Sequence, residues 1–420
     1  MMYTWITRKI YYNMKNNLTS FLKTAGVILT VIILGTVFSL KAMQNYTHQD
    51  YINSNFFFFW LSGRMMWTGQ NPYNSTQWLA GHDAFGATWK PNQIFPYPLP
   101  LAFFMAPLGL LSLGQAYIVW QIVSQIIIAL TVLGLLRHWQ GQAHQLLFLP
   151  LMLVLLFFGP VYLSLQIGSV GPLALAAILL AILLLEHDQP ICAGIMLSLT
   201  LLKPPQGLTL LILAGIWFLA RRNWKSILGI IIGGIILLII GMIRDPLWVV
   251  KMRGASAVVL DRTMGFDSNI YSFAYLACNQ NTSCMWIAGT VGSLLVILLG
   301  GYYLWHHRDK FSAWEAFNII IPLGFVSTIY LWSYDQLPYV IPIVWIVGTL
   351  VERTKSYLHI FIFLVVLDVL SIYALLVQAN THKDLLSIIN TILILGMCLW
   401  LMHRKSQLRP YQASIPTPKS

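Results

Sequence analysis

Apolar segments of about 20 residues recur from Thr24 to Met402, and they constrain this chain more than anything else in it. A helix needs about that length to cross roughly 30 Å of hydrocarbon. Runs such as Ile227 to Ile243 and Leu358 to Val377 are apolar on every side. Barrel strands would alternate, so these runs are helices. Composition agrees, with 58% hydrophobic and 9% charged residues against about 25% charged in soluble domains. An all-α polytopic membrane protein is the expected class.

About twelve spans are expected: Thr24 to Leu40, Tyr117 to Leu136, Leu146 to Leu163, Val170 to Leu185, Ile191 to Leu202, Gly207 to Ala220, Ile227 to Ile243, Met285 to Trp305, Ala316 to Leu331, Leu337 to Leu350, Leu358 to Val377 and Leu385 to Leu401. Lys and Arg resist translocation and mark cytoplasmic loops. By that rule both tails (1–23 and 403–420) are cytoplasmic, as are the clusters at Arg221-Arg222, His306 to Lys310 and Glu352 to Lys355. An even number of spans follows. The run Leu99 to Leu113 breaks that parity, and Pro96, Pro98, Pro100 and Pro107 interrupt it. It is therefore laid along the outer face. Residues 24–402 then form one transmembrane domain with long external loops at 43–115 and 244–284.

The net charge of +12 sits largely in the cytoplasmic loops and tails, where anionic headgroups attract it. No nucleic-acid partner is needed to explain it. Cys278 and Cys284 share an external loop and could pair in an oxidising compartment. No GxxxxGK[ST] loop, HExxH or CxxC pair occurs, and no cofactor is expected. A divalent cation on Asp50, Asp83 or Asp335 stays open.

Three constellations carry possible chemistry. The first joins Asp50, Asn55-Phe56-Phe57-Phe58-Phe59-Trp60, Arg64, Asn71-Pro72-Tyr73 and Phe95-Pro96-Tyr97-Pro98. Its plain explanation is an interfacial aromatic belt with a proline-rich turn. Its functional one is an acceptor site, with a carboxylate as base and Arg64 on an anion. The second is Lys203-Pro204-Pro205. An ammonium in lipid costs about 2.5–3.5 kcal/mol on insertion scales, so Lys203 either snorkels or faces a cavity and an anion such as phosphate. The third is Trp332-Ser333-Tyr334-Asp335-Gln336, either a capped turn or an acidic functional one.

The stretch from Asn55 to Tyr73, then Tyr97-Pro98 and Ala106-Pro107-Leu108, resembles the first external loop of glycosyltransferase family 87. Gln166-Ile167-Gly168, Ala193-Gly194 through Lys203-Pro204-Pro205-Gln206, and Trp332 to Gln336 resemble later motifs of that family, in order from about Tyr46 to Pro342. The resemblance implies a C-type glycosyltransferase bundle with membrane-parallel helices in the first external loop. It also implies transfer of a hexose, typically mannose, from a polyprenyl-phosphate sugar donor to a hydroxyl of a glycolipid or glycan acceptor on the external face. The expected location is the bacterial plasma membrane, among membrane lipids. Family members commonly carry Asp where this chain has Asn55, and a neutral amide cannot serve as base. Asp50 and Asp335 are the candidate bases. Arg64 and Lys203 are the expected phosphate contacts, and Tyr73, Tyr97 and Gln166 the other substrate contacts. Two alternatives stand beside this reading: a transporter or flippase of lipid-linked sugars, and a non-catalytic relative.

Overall fold

The computed structural model describes residues 54–88, 92–138, 147–354 and 357–412, together with Ile32, Gly35, Ile52 and Lys90. Asp50 and all of the expected first span except Ile32 and Gly35 lie outside these residues. The described residues form α-helices and three short 3-10 turns, without strands. The helices are α1 (Asn55–Trp67), α2 (Ser75–Ala84), α3 (Leu99–Gly109), α4 (Leu113–His138), α5 (Phe148–Phe157), α6 (Gly159–Gln166), α7 (Gly171–Glu186), α8 (Pro190–Ser198) and α9 (Pro204–Ala220). They continue with α10 (Trp224–Arg244), α11 (Trp248–Thr263), α12 (Ile270–Ala277), α13 (Thr282–His306), α14 (Ala313–Val326), α15 (Val340–Thr354), α16 (Tyr357–Thr381) and α17 (Ile388–Gln412).

By length and composition, six described segments can cross a membrane: Leu113–Arg137, Trp224–Arg244, Thr282–His306, Ser333–Glu352, Tyr357–Thr381 and Leu385–His403. Other expected spans fold as apolar helices of 10–17 residues, among them α7, α9 and α14. The run expected as one span from Leu146 to Leu163 is instead a pair, α5 and α6, bent by 71°. Pro160, which has no N–H to give to the α5 ladder, is the second residue of the new helix, which begins at Gly159. This is a membrane protein built of helices.

Two packed regions organise it. The larger is aliphatic and gathers α4 to α9, α14, α15, α16 and α17 around buried Trp217, Trp314 and Phe317. The smaller is rich in aromatics and centres on the segment before α4, joined by Tyr117 and Trp120 of α4 and by Trp248. Phe56, Phe57, Phe58, Phe59 and Trp60 are all buried, packed on Trp78, His82, Phe85 and Tyr97. The aromatic run, which the sequence left between an interfacial belt and an acceptor site, packs as part of a core. Six consecutive apolar positions cannot share one helix face, so α2, α3 and the Phe95–Tyr97 loop close around α1 from several sides.

Candidate functional site

A cavity of about 1270 Å³ opens between the start of α1, the Pro96–Tyr97 loop, the Lys203 corner, the Tyr330–Tyr334 turn and the length of α11. Its walls are mainly apolar. Asn55, Tyr97 and Lys203 all line it, so residues 148 positions apart in sequence meet there.

Lys203 is a buried part of the lining for a local reason. The 3-10 turn Leu199–Leu202 ends at Lys203, whose extended ψ of 82° precedes Pro204-Pro205 at the first turn of α9. A residue before proline is driven to that conformation, and prolines waste no donor at a helix start. The side chain is 6% exposed and its Nζ is bonded to Asp335 Oδ1. It lies 5.0 Å from the Tyr334 ring centre and 5.7 Å from that of Tyr330, which stabilises a cation. Asp335 Oδ2 accepts the Trp332 N–H at 3.2 Å, so both of its oxygens are engaged. Asp335 is 1% exposed and sits behind Lys203, away from the cavity lining. It holds the lysine and is poorly placed to take a proton from a substrate.

A polar network anchors the Trp332–Gln336 turn from behind. Asp384 accepts the Ser333 N–H, and Gln336 Nε2 donates to Ser268 Oγ at 3.1 Å. Ser268 N–H donates to Leu331 O at 2.9 Å, and Asp267 Oδ2 accepts the Leu331 N–H at 3.4 Å. Burial pushes the Asp384 carboxyl up to about 7 and the Asp267 carboxyl well above the usual carboxylate range. Sequence reasoning did not single out either of these loop acids.

Asn55 stands at the first residue of α1 because the chain there abuts the Gln166–Gly168 turn. Phe56 N–H donates to Ile167 O at 3.2 Å. Gly168 has a φ of 62°, and a Cβ on it would lie 2.7 Å from Phe56 Cβ, so only glycine fits that abutment. The Gln166 side chain does not line the cavity; its carbonyl accepts the Tyr117 hydroxyl at 2.5 Å.

Arg64 and Tyr73 also lie away from the lining. The Arg64 guanidinium rests over Trp60 at 5.5 Å and Phe85 at 5.9 Å, with a 3.5 Å hydrogen bond to Gly109 O. The Tyr73 hydroxyl donates to Tyr97 O. Asn71 turns out to be a latch: its Nδ2 donates to Asp245 Oδ2 at 2.8 Å, and its Oδ1 accepts the Tyr73 N–H at 2.9 Å. Asp245 also takes Lys251 Nζ at 2.6 Å and the Leu247 N–H at 3.0 Å. Burial alone would raise this carboxyl, but those donors outweigh it and hold it below the usual carboxylate range. With Ser256 Oγ donating to Pro96 O at 3.1 Å, they fix α11 over the cavity as a roof.

Among the described residues no carboxylate lines the cavity, whereas Lys90, Lys203, Arg253 and Arg262 do. No group of three or more His, Cys, Asp or Glu among them is arranged to hold a metal ion. The arrangement is a buried, carboxylate-paired cation in an apolar chamber, chemically suited to the anionic end of a lipid. Glycosyltransferase family 87, as a sequence model, matches residues 95–328, more than half of the chain. The chain belongs to glycosyltransferase family 87. The family 87 match spans Tyr97, Gln166, Lys203 and the roof helix, while Asn55 precedes it and Asp335 follows it. A family 87 protein is a glycosyltransferase, and it has a sugar donor and an acceptor to accommodate. No curated protein and no solved structure matches the chain.

Proposed function

We propose that this family 87 protein moves a hexose, mannose foremost, from a polyprenyl-phosphate donor to an acceptor hydroxyl at the external membrane face. The observation that carries the reading is the buried Lys203 ammonium in a mainly apolar chamber. A lipid chain fits the apolar walls, and the phosphate fits the cation. In the reaction the bond from the sugar C1 to the phosphate oxygen breaks as the acceptor oxygen bonds to C1. The acceptor proton passes to a base, and charge collects on the leaving phosphate, where Lys203 stabilises it. No cofactor is required. Asp50 is the proposed base, because Asp335 is already held by Lys203 and the Trp332 N–H. Three short helices before α4 (of 13, 10 and 11 residues) support membrane-parallel helices in the first external loop of a C-type bundle. About twelve spans, both termini cytoplasmic and a bacterial plasma membrane complete the proposal.

Purified protein in liposomes, given radiolabelled hexose on polyprenyl phosphate or on a nucleotide, tests this. Transfer from the lipid donor alone is expected, with a loss of about 10²-fold or more in Asp50→Asn. Transfer from the nucleotide alone would overturn the donor assignment. An intact Asp50→Asn would overturn the base, and an inert wild type would favour a non-catalytic relative.

A further inference from the structure

The long helix α16 carries an acidic side chain in the middle of its length. Asp368 lies 11 residues after Tyr357 and 13 before Thr381, about 17 and 20 Å from the two helix ends at a rise of about 1.5 Å per residue. Every other Asp, Glu, Lys or Arg in the six described segments that can cross a membrane falls within three residues of a segment end. A carboxyl at that depth meets neither water nor headgroups, so a partner or a function has to account for it. The fold supplies no partner among the described residues: Asp368 Oδ1 is buried and accepts no hydrogen bond. Three residues on, by contrast, Ser371 Oγ accepts the Gly159 N–H at 2.9 Å, so the inward face of α16 is satisfied against α6. Asp368 sits where that face meets the outer one. Phe361, Val365 and Ile372, which share its stripe at helical spacing, are 65%, 41% and 39% exposed.

Hydrocarbon offers such a carboxyl no donor. The expected first span does not supply a cation either, since no Lys or Arg occurs from Thr24 to Leu40, and its Gly35 lies against Gln125 of α4. We infer that the outer face of α16 docks a transmembrane helix of another protein, one that carries a Lys or Arg at the depth of Asp368. A carboxylate only accepts hydrogen bonds, so the group facing it has to donate. An ammonium or guanidinium donates and also cancels the charge, which a hydroxyl does not. Each charge is costly alone in lipid and the two relieve each other, which makes the contact selective for a basic helix. Phe361, Val365 and Ile372 supply the apolar packing that accompanies a polar contact between membrane helices. The catalytic cavity takes no part in this contact, so the inference stands apart from the donor and acceptor assignments.

Energy transfer in liposomes tests it. The full-length protein, with a fluorophore at its C-terminus, is reconstituted with acceptor-labelled leucine-alanine helices of about 25 residues whose central residue is Lys or Leu. The Lys helix is expected to half-saturate at a mole fraction roughly tenfold lower than the Leu helix, as a hydrogen bond between charged groups supplies. Asp368→Leu should erase that difference, Asp368→Asn should shrink it and Asp368→Glu should keep it. Hexosyl transfer should be unchanged in all three, which shows that the variants are folded. Equal binding of the two helices by the wild type overturns the inference, as does a Lys preference that survives Asp368→Leu. Energy transfer between two copies of the chain, abolished by Asp368→Leu, makes a second copy the occupant and overturns the assignment to another protein.

Discussion

Removing the Lys203 ammonium while Asp335 stays leaves a buried carboxylate without its cation, a loss of about 3–5 kcal/mol for pairs of this kind. Lys203→Met should therefore lower the unfolding temperature in detergent and abolish transfer. The double variant Lys203→Met with Asp335→Leu should regain most of the stability and none of the transfer. If the double variant regains transfer, the cation is not needed at the phosphate. Both residues stood out in the sequence as charges among apolar neighbours. Their pairing did not, because it joins positions 132 apart and no local periodicity records it. Arg64 is the reverse case. It follows Trp60 by four residues on one helix, and that spacing alone puts the guanidinium over the indole. The i,i+4 rule was available and points away from a ligand contact. Asp267 and Asp384 escaped notice because acids in loops are ordinary, and only the fold buries them.

At the scale of elements, the latch on α11 carries a pH signature. Asp245 is held below the usual carboxylate range, so its share of stability is present above that range and is lost as pH falls through its depressed value. Hydrogen exchange along α11 should rise in that acidic window, and Asp245→Asn should show raised exchange without the pH step. Asp384 runs the other way. Its carboxyl is raised to about 7, so the benefit of its neutral form is complete below the ordinary range and disappears as pH rises through about 7. Asp384→Asn should flatten the fall of unfolding temperature between about pH 4 and 7, and an unchanged slope would acquit that residue. Where α8 crosses α10, a Cβ on Gly194 would lie 2.1 Å from Ser226 O and one on Gly229 2.1 Å from Ile191 O. Gly229→Ala should cost about 1–3 kcal/mol by overpacking, read as a lower unfolding temperature. The long spans were legible from length and hydropathy. The roof helix was not, since Trp248–Thr263 mixes charged, small and apolar residues, and contacts with Asp245 and Pro96 tie it down. The bend at Gly159-Pro160 was legible in principle, because proline ends a ladder wherever it falls.

For the molecule as a whole, a disulfide between Cys278 and Cys284, six residues apart, ties the end of α12 to the first turn of α13. That pairing agrees with an oxidising compartment on the side of the 244–284 segment. In intact cells, Cys284 in a Cys278→Ser variant should react with a membrane-impermeant maleimide, while a cysteine placed in the 403–420 tail should react only after permeabilisation. Labelling of the tail in intact cells would reverse the topology. The general architecture was legible because the bilayer imposes its length on each span. The chamber was not, because it lies among loops and helix ends where that constraint relaxes. Its apolar wall includes Leu208, Trp286 and Ile329, each more than a third exposed. Substrates that arrive through such a wall come by two-dimensional diffusion within one leaflet. With the proposed lipid donor, the quantity that sets saturation is the mole fraction of substrate in the membrane, and diluting the bilayer with inert lipid should slow transfer even when the bulk concentration is held constant.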